Sequence, residues 1–73
     1  MRVVVYSREG CHLCHDVLDV VRRVCGDEFR LIDITTDPEL EARYRTRIPV
    51  TAVDGVELSD WFLSEEQLRV ALG

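Results

Sequence analysis

The pattern of hydrophobic and polar residues changes near Cys11, and it predicts a strand followed by a long helix. Residues 2–6 (RVVVY) are β-branched and aromatic with little polar interruption, which is typical of a central strand buried on both faces. From Cys11 onward, apolar residues recur at spacings of three and four, the pattern of an amphipathic helix. The apolar series consists of Leu13, Cys14, Val17, Leu18, Val21, Val24 and Cys25. Gly26 fits the left-handed position that follows the last turn of such a helix.

The middle of the chain predicts a second strand and a short helix. Residues 28–34 (EFRLIDI) are strand-like, and Asp37 is placed to cap a helix whose first position is Pro38. Leu40 and Tyr44 are four residues apart, so both face the core from that helix.

The last third predicts a hairpin and a final helix. Residues 49–53 and 56–58 are β-prone and flank Asp54-Gly55, a strong hairpin signal. Ser64 and Gln67 then form a capping-box pattern, with a hydrophobic staple between Leu63 and Leu68, which predicts a helix from about Glu65 to Leu72.

The predicted order is therefore β-α-β-α-β-β-α in one domain spanning residues 1–73. The two strands of the first β-α-β unit should be parallel, and the last two strands should be antiparallel. This gives an α/β fold, with a mixed four-stranded sheet flanked by helices on both faces.

Composition limits the classes of function. The net charge is −5, which argues against nucleic acid as a partner, because phosphate binding needs a basic face. No apolar run approaches the ~20 residues that cross a bilayer, and the N-terminus is unlike a secretory signal. We therefore expect a cytoplasmic protein without a membrane partner. Disulfides that only stabilise a fold are uncommon in that compartment, so a Cys-x-x-Cys there indicates redox catalysis or metal binding.

The motif GCHLC places two cysteines where the first strand passes into the long helix. Cys11 lies at the helix N-terminus, where unpaired N–H groups and the helix dipole stabilise a thiolate and lower the cysteine pKa. Cys14 is one turn further on, more sheltered and able to reach Cys11. The hypothesis is that Cys11 attacks a disulfide and Cys14 resolves the mixed disulfide. Gly10, which ends the preceding loop, and His12, between the cysteines, are the residues expected to tune this site.

Other interpretations of these residues stay open. Both cysteines of the motif can be small buried apolar residues, and His12 can be an exposed loop residue without effect. A zinc site needs four ligands, but His12 and His15 share one helical turn, and Cys25 lies about 16 Å beyond Cys14 along the helix axis. We therefore predict no metal site within the chain, a surface position for His15 and a core position for Cys25.

The segments VVVYSREGCHLC and RIPVTAVDG, in this order with a helix between them, resemble the glutaredoxin branch of the thioredoxin-fold proteins. The likeness covers essentially the whole chain and is strongest to short, bacterial-type glutaredoxin-like proteins. It implies a thioredoxin-like fold and thiol–disulfide exchange.

The resemblance also implies roles for residues outside the cysteine pair. Pro49 would be cis and lie beside the cysteines, and Ile48 would offer its backbone to an extended substrate. Arg8 stands where glutaredoxins have a lysine that helps hold the glutathione carboxylate. With Leu13, these residues form the expected substrate-binding set.

The chain also departs from the glutaredoxin pattern. His12 and Leu13 replace the usual proline and tyrosine between the cysteines. Ser59 and Asp60 replace two glycines whose backbone binds the γ-glutamyl end of glutathione, and Asp60 adds a negative charge there. Trp61 and Phe62 can line a docking groove or cover the core between hairpin and last helix, and we expect the second.

The leading functional hypothesis is a monomeric, dithiol thiol–disulfide oxidoreductase without a cofactor. Its partners would be a disulfide-containing protein or glutathione, with an unknown reductase as electron donor. Two alternatives are an adaptor that uses the fold to bind a protein, and a protein that holds an iron–sulfur cluster between two chains.

Overall fold

The computed structural model describes all 73 residues and contains the predicted elements in the predicted order. The strands are β1 (Val3–Ser7), β2 (Arg30–Asp33), β3 (Val50–Val53) and β4 (Val56–Asp60), and the helices are α1 (His12–Cys25), α2 (Pro38–Tyr44) and α3 (Glu65–Leu72). The sheet order is β2-β1-β3-β4. As predicted, β1 and β2 are parallel, and β3 and β4 are antiparallel. No helix combines the length and the apolar character that crossing a bilayer would need.

Helices cover both faces of the sheet, and each face has its own core. The core under α1 and α3 comprises Val3, Val5, Val17, Val21, Val53, Leu63 and Leu68. The core under α2 comprises Ile34, Tyr44 and Val50. The prediction that β1 is buried on both faces is only partly right, because Val4 and Tyr6 on the α2 side are half-buried. The seven-residue α2 covers less of the sheet than the two helices opposite.

The second strand is shorter than the predicted range of residues 28–34. It ends at Asp33, whose carboxylate accepts hydrogen bonds from the Thr35 backbone N–H (2.9 Å) and the Thr35 hydroxyl (2.7 Å). These bonds turn the chain into one turn of 3-10 helix, Ile34–Thr36. A side chain that competes for backbone groups in this way ends regular structure early.

The fourth strand is longer than predicted. Ser59 pairs with Thr51 and Asp60 pairs with Val50, so both residues belong to β4 and not to a loop after the hairpin. The strand predicted at residues 56–58 therefore continues to Asp60.

The helix ends follow their sequence signals. Gly26 adopts a positive φ of 63° after α1, and the Asp37 side chain accepts from the Glu39 N–H at 2.9 Å. Ser64 and Gln67 form both bonds of the capping box at 3.0 Å. The two predicted N-caps are confirmed, whereas Gly26 shares only the positive φ of a left-handed cap, since its ψ is −122°.

The sheet topology brings several loops to one edge. At this edge β1 and β2 end, β3 begins and β4 ends, as the registers Ser7↔Asp33, Tyr6↔Val50 and Val50↔Asp60 show. The loop carrying Cys11 therefore shares an edge with the segments that precede β3 and follow β4.

Candidate redox site

The two cysteines of the motif are joined by a disulfide at the start of α1. Their Cα atoms are 5.3 Å apart. Cys11 is the N-cap residue with extended backbone (φ −86°, ψ 111°) and is half-buried, whereas Cys14 is 3% exposed. Cys14 is thus the more sheltered sulfur. In this oxidised state the Cys11 side chain accepts no capping hydrogen bond from the first turn.

Gly10 sets the path of the chain into the cysteine pair. Its φ is +83°, while a Cβ built on it meets no atom within 4 Å. The position therefore favours glycine because of its backbone conformation and not because of lack of space.

The remaining residues of the motif face solvent. His12 and His15 are exposed on the first turns of α1. Leu13, the first residue of the predicted apolar series, is 37% exposed. Leu13 lies only about 40° around the helix from the buried Val17, so its exposure comes from its place in the first turn of α1.

The third cysteine has a structural position, as predicted. Cys25 is half-buried, unpaired and packed against the core under α1 and α3. Burial, followed by the charge of Glu28, raises the pKa of its thiol above the usual value.

The Ile48–Pro49 segment lies at the same edge of the sheet as the cysteines. Its peptide bond is cis, and Pro49 is fully buried. Because Tyr6 pairs with Val50, Pro49 lies next to Ser7 at the end of β1. The Ile48 N–H already donates to the Tyr44 carbonyl at 3.1 Å, which leaves the Ile48 carbonyl as the backbone group available to a partner.

A network around Arg47, which the sequence did not predict, fixes this segment to β4. The Arg47 guanidinium donates to both carboxylate oxygens of Asp60, with Nε–Oδ2 and Nη2–Oδ1 distances of 3.0 Å. It also contacts Glu57, which accepts a 3.0 Å hydrogen bond from the Tyr44 hydroxyl. The Tyr44 ring stacks on Tyr6 with centroids 4.4 Å apart. These partners are 10 and 13 residues apart in the chain, so no local spacing could reveal them.

The aromatic pair after β4 does not cover the core, contrary to expectation. Trp61 is 47% exposed and Phe62 is 69% exposed, while the neighbouring Leu63 fills the core position. Trp61 has a positive φ of 64°, its backbone N–H donates to the Pro49 carbonyl at 2.9 Å, and its indole N–H donates to the Thr46 carbonyl at 3.0 Å. Trp61 therefore ties the end of β4 to the segment before β3.

A groove of about 310 Å³ opens beside the disulfide on the β2 side. Both cysteines line it, and so do the exposed side chains of Arg8, His15 and Leu31. No three His, Cys, Asp or Glu side chains are grouped so that they could hold a metal ion.

The Glu57 carboxylate gives this network a pH dependence. Hydrogen bonds from Arg47 and then from Tyr44 lower the pKa of Glu57. A carboxylate whose pKa is lower in the folded than in the unfolded protein stabilises the fold in its charged form. This contribution is fully present above the unfolded pKa of about 4.3 and is lost as the pH falls through the folded pKa. We expect Glu57→Gln to flatten the decline in the free energy of unfolding below about pH 5, measured by urea denaturation. Glu41→Gln, which removes an exposed carboxylate of α2, is the charge-matched control, and equal slopes for Glu57→Gln and this control would contradict the prediction.

A mixed sheet of this order, with a Cys-x-x-Cys at the first strand-to-helix junction and a proline before the third strand, has the architecture of a glutaredoxin-like protein of the thioredoxin fold. The chain belongs to the family described as Glutaredoxin-like domain (DUF836), which matches residues 2–73. The predicted fold class and family resemblance are thereby confirmed.

Known relatives agree with this assignment. Rv0508 of Mycobacterium tuberculosis is 32% identical in an alignment of 76 positions that covers 93% of this chain and 78% of that protein. The X-ray structure of a structural-genomics target protein from X. campestris has a TM-score of 0.82 at 32% identity, covering 96% of this chain and 93% of that one. The holo form of glutaredoxin C1 from Populus tremula x tremuloides has a TM-score of 0.63 at 17% identity, covering 94% and 71%, and shares the fold.

Proposed function

We propose that this protein is a thiol–disulfide oxidoreductase that works through a dithiol mechanism. The observation that carries the proposal is the Cys11–Cys14 disulfide at the N-terminus of α1, with one sulfur half-buried and the other fully sheltered. An accessible sulfur at a helix N-terminus suits a nucleophile, and a sheltered partner within bonding reach suits a resolving thiol.

The reaction transfers two electrons to the substrate. The Cys11 thiolate attacks one sulfur of a substrate disulfide, a mixed disulfide forms, and the other substrate sulfur leaves as a thiolate that takes a proton from solvent. Cys14 then loses its proton and attacks the Cys11 sulfur. The Cys11–Cys14 disulfide forms, and the second substrate sulfur leaves as a thiol. An external thiol or a dithiol reductase must then reduce the protein for another cycle.

The surrounding residues have supporting roles in this proposal. The Ile48 carbonyl accepts a hydrogen bond from an extended substrate segment, while Pro49 shapes the backbone that presents it. Arg8 and Leu13 contact the substrate on the exposed rim of the site. His12 stabilises the Cys11 thiolate through its ring N–H, and Gly10 provides the turn that brings the sulfur to the helix N-terminus.

The proposed substrates are disulfides of proteins or of small thiols in the cytoplasm. The electron donor is either glutathione or a separate reductase, and no resident cofactor is needed for the exchange. The exposed Trp61 and Phe62 side chains favour a protein surface as the partner, because buried aromatic area contributes strongly to protein interfaces.

Redox titration tests this proposal directly. The purified protein is equilibrated in glutathione and dithiothreitol buffers of defined potential, and its free thiols are counted by alkylation and mass spectrometry. We expect reversible loss of the two motif thiols with a single midpoint, and alkylation of Cys11 in the reduced protein at a pH below that of a free cysteine. A pair that does not reoxidise, or a Cys11 no more reactive than free cysteine near neutral pH, would overturn the proposal.

A further inference from the structure

Two arginines and two carboxylates form an electrically neutral cluster next to the Ile48–Pro49 segment. Arg47 pairs with Asp60 and Glu57, and Arg43 approaches Glu57 at 3.7 Å. The two positive charges and two negative charges sum to zero. The Arg47–Asp60 pair has the bidentate geometry that guanidinium and carboxylate groups favour.

This cluster borders the surface where the proposed substrate docks. Arg47 directly precedes Ile48, and its backbone N–H donates to the Tyr44 carbonyl at 2.8 Å. Arg47, Asp60 and Trp61 line one shallow groove of about 430 Å³ along β4. About 31% of the Arg47 side chain and 30% of the Asp60 side chain are accessible, so the charges are within reach of a bound molecule.

We infer that Asp60 is a specificity-determining residue: by pairing with Arg47 it removes the positive charge that would otherwise attract anionic thiols to the Ile48–Pro49 side of the site. This inference rests on the proposed function and names its substrate class. The site then lacks the electrostatic attraction that would favour acidic small disulfides, such as glutathione disulfide, over uncharged protein segments that carry a cysteine. Asp60 acts through Arg47 and does not touch the reacting sulfurs.

Removing the Asp60 carboxylate leaves the Arg47 guanidinium in place, but its charge is no longer neutralised. In Asp60→Asn, Arg47 remains held by Glu57 while the cluster has one positive charge in excess. Glutathione disulfide is an anion because its carboxylates outnumber its ammonium groups. A unit charge about 6 Å from a charge on the disulfide, in an effective dielectric near that of water, changes the rate constant of the reaction about threefold. In about 1 M salt the Debye length is about 3 Å, so the effect should vanish there.

The experiment measures the second-order rate constant for oxidation of the reduced protein by glutathione disulfide and by the uncharged 2-hydroxyethyl disulfide. For Asp60→Asn we expect about a threefold gain with glutathione disulfide at low ionic strength, none in about 1 M salt, and no change with the uncharged disulfide. The double variant Asp60→Asn/Arg47→Gln should lose the gain, because the exposed cation is gone.

A second bidentate arginine–aspartate pair provides a matched control. Arg2 and Asp54 pair at 2.9 and 3.0 Å at the opposite end of the sheet, so Asp54→Asn makes the same chemical change and the same change in net charge. Asp54→Asn should leave both rate constants unchanged. Asp60→Ser provides a second neutral substitution if the amide folds poorly.

The outcomes separate this inference from the proposed function. An equal effect of Asp60→Asn on both disulfides, a gain insensitive to salt, or no effect on an active protein would overturn the inference alone. A wild-type protein without a reversible Cys11–Cys14 bond would instead overturn the proposed function.

Discussion

Cys14→Ser is expected to stop the reaction half-way and leave the substrate attached to Cys11, whereas Cys11→Ser is expected to lower the rate by at least about a thousandfold. The difference follows from the two environments. Cys11 is half-buried at the helix N-terminus and can meet a partner, while Cys14 is 3% exposed and can reach only Cys11. Non-reducing electrophoresis of each variant after exposure to a cell extract, with mass spectrometry of the adducts, measures the outcome.

Cys25→Ser is the control for these variants. The pKa of the Cys25 thiol is raised, chiefly by burial, so Cys25 stays a thiol near neutral pH and should not compete for substrates. We expect the same adducts from Cys14→Ser with and without Cys25→Ser. Adducts that form on Cys11→Ser, or that require Cys25, would show that the assignment of nucleophile and resolving thiol is incorrect.

The proteins that Cys14→Ser traps as mixed disulfides also test the inferred substrate class. If Asp60 and Arg47 neutralise each other as inferred, the trapped proteins should carry uncharged or apolar residues beside the captured cysteine. Cys14→Ser/Asp60→Asn should then shift the captured set toward acidic sequences and glutathione, because Arg47 would keep only Glu57 as its carboxylate partner.

Local sequence signals were sufficient for most of the fold. The spacing of Cys14, Val17 and Val21 sets the buried face of α1, and the Ser64–Gln67 box starts α3 where predicted. Each of these signals acts over one or two helical turns, and so pattern alone reveals it. The cysteine motif and its junction with β1 could be predicted for the same reason.

The errors arose where a side chain engages a distant partner or competes with the backbone. Asp33 ends β2 through its bonds to Thr35, although the apolar pattern continues to Ile34. Asp60 belongs to β4, and its carboxylate is paired with Arg47, 13 residues earlier in the chain. Tertiary contacts of this kind leave no periodic signal in the sequence.

Leu68→Ala is expected to lower the free energy of unfolding by about 3 kcal/mol. Leu68 is 0% exposed and belongs to the core that joins α1 and α3 to the sheet, next to the buried Leu63 of the hydrophobic staple. Truncation removes buried apolar area and leaves a cavity in the core shared by α1, α3 and the sheet. This loss is a large share of the stability of a small domain, which is typically about 5–15 kcal/mol. Urea denaturation of the oxidised protein measures it.

Val70→Ala provides the matched comparison on the same helix. Val70 is 74% exposed, so its truncation leaves no cavity, and alanine is the better helix former. We expect a change within about 0.5 kcal/mol of the wild type, with the disulfide kept oxidised in every sample. If the two truncations cost the same, α3 would be held by its capping box and ion pairs and not by Leu68.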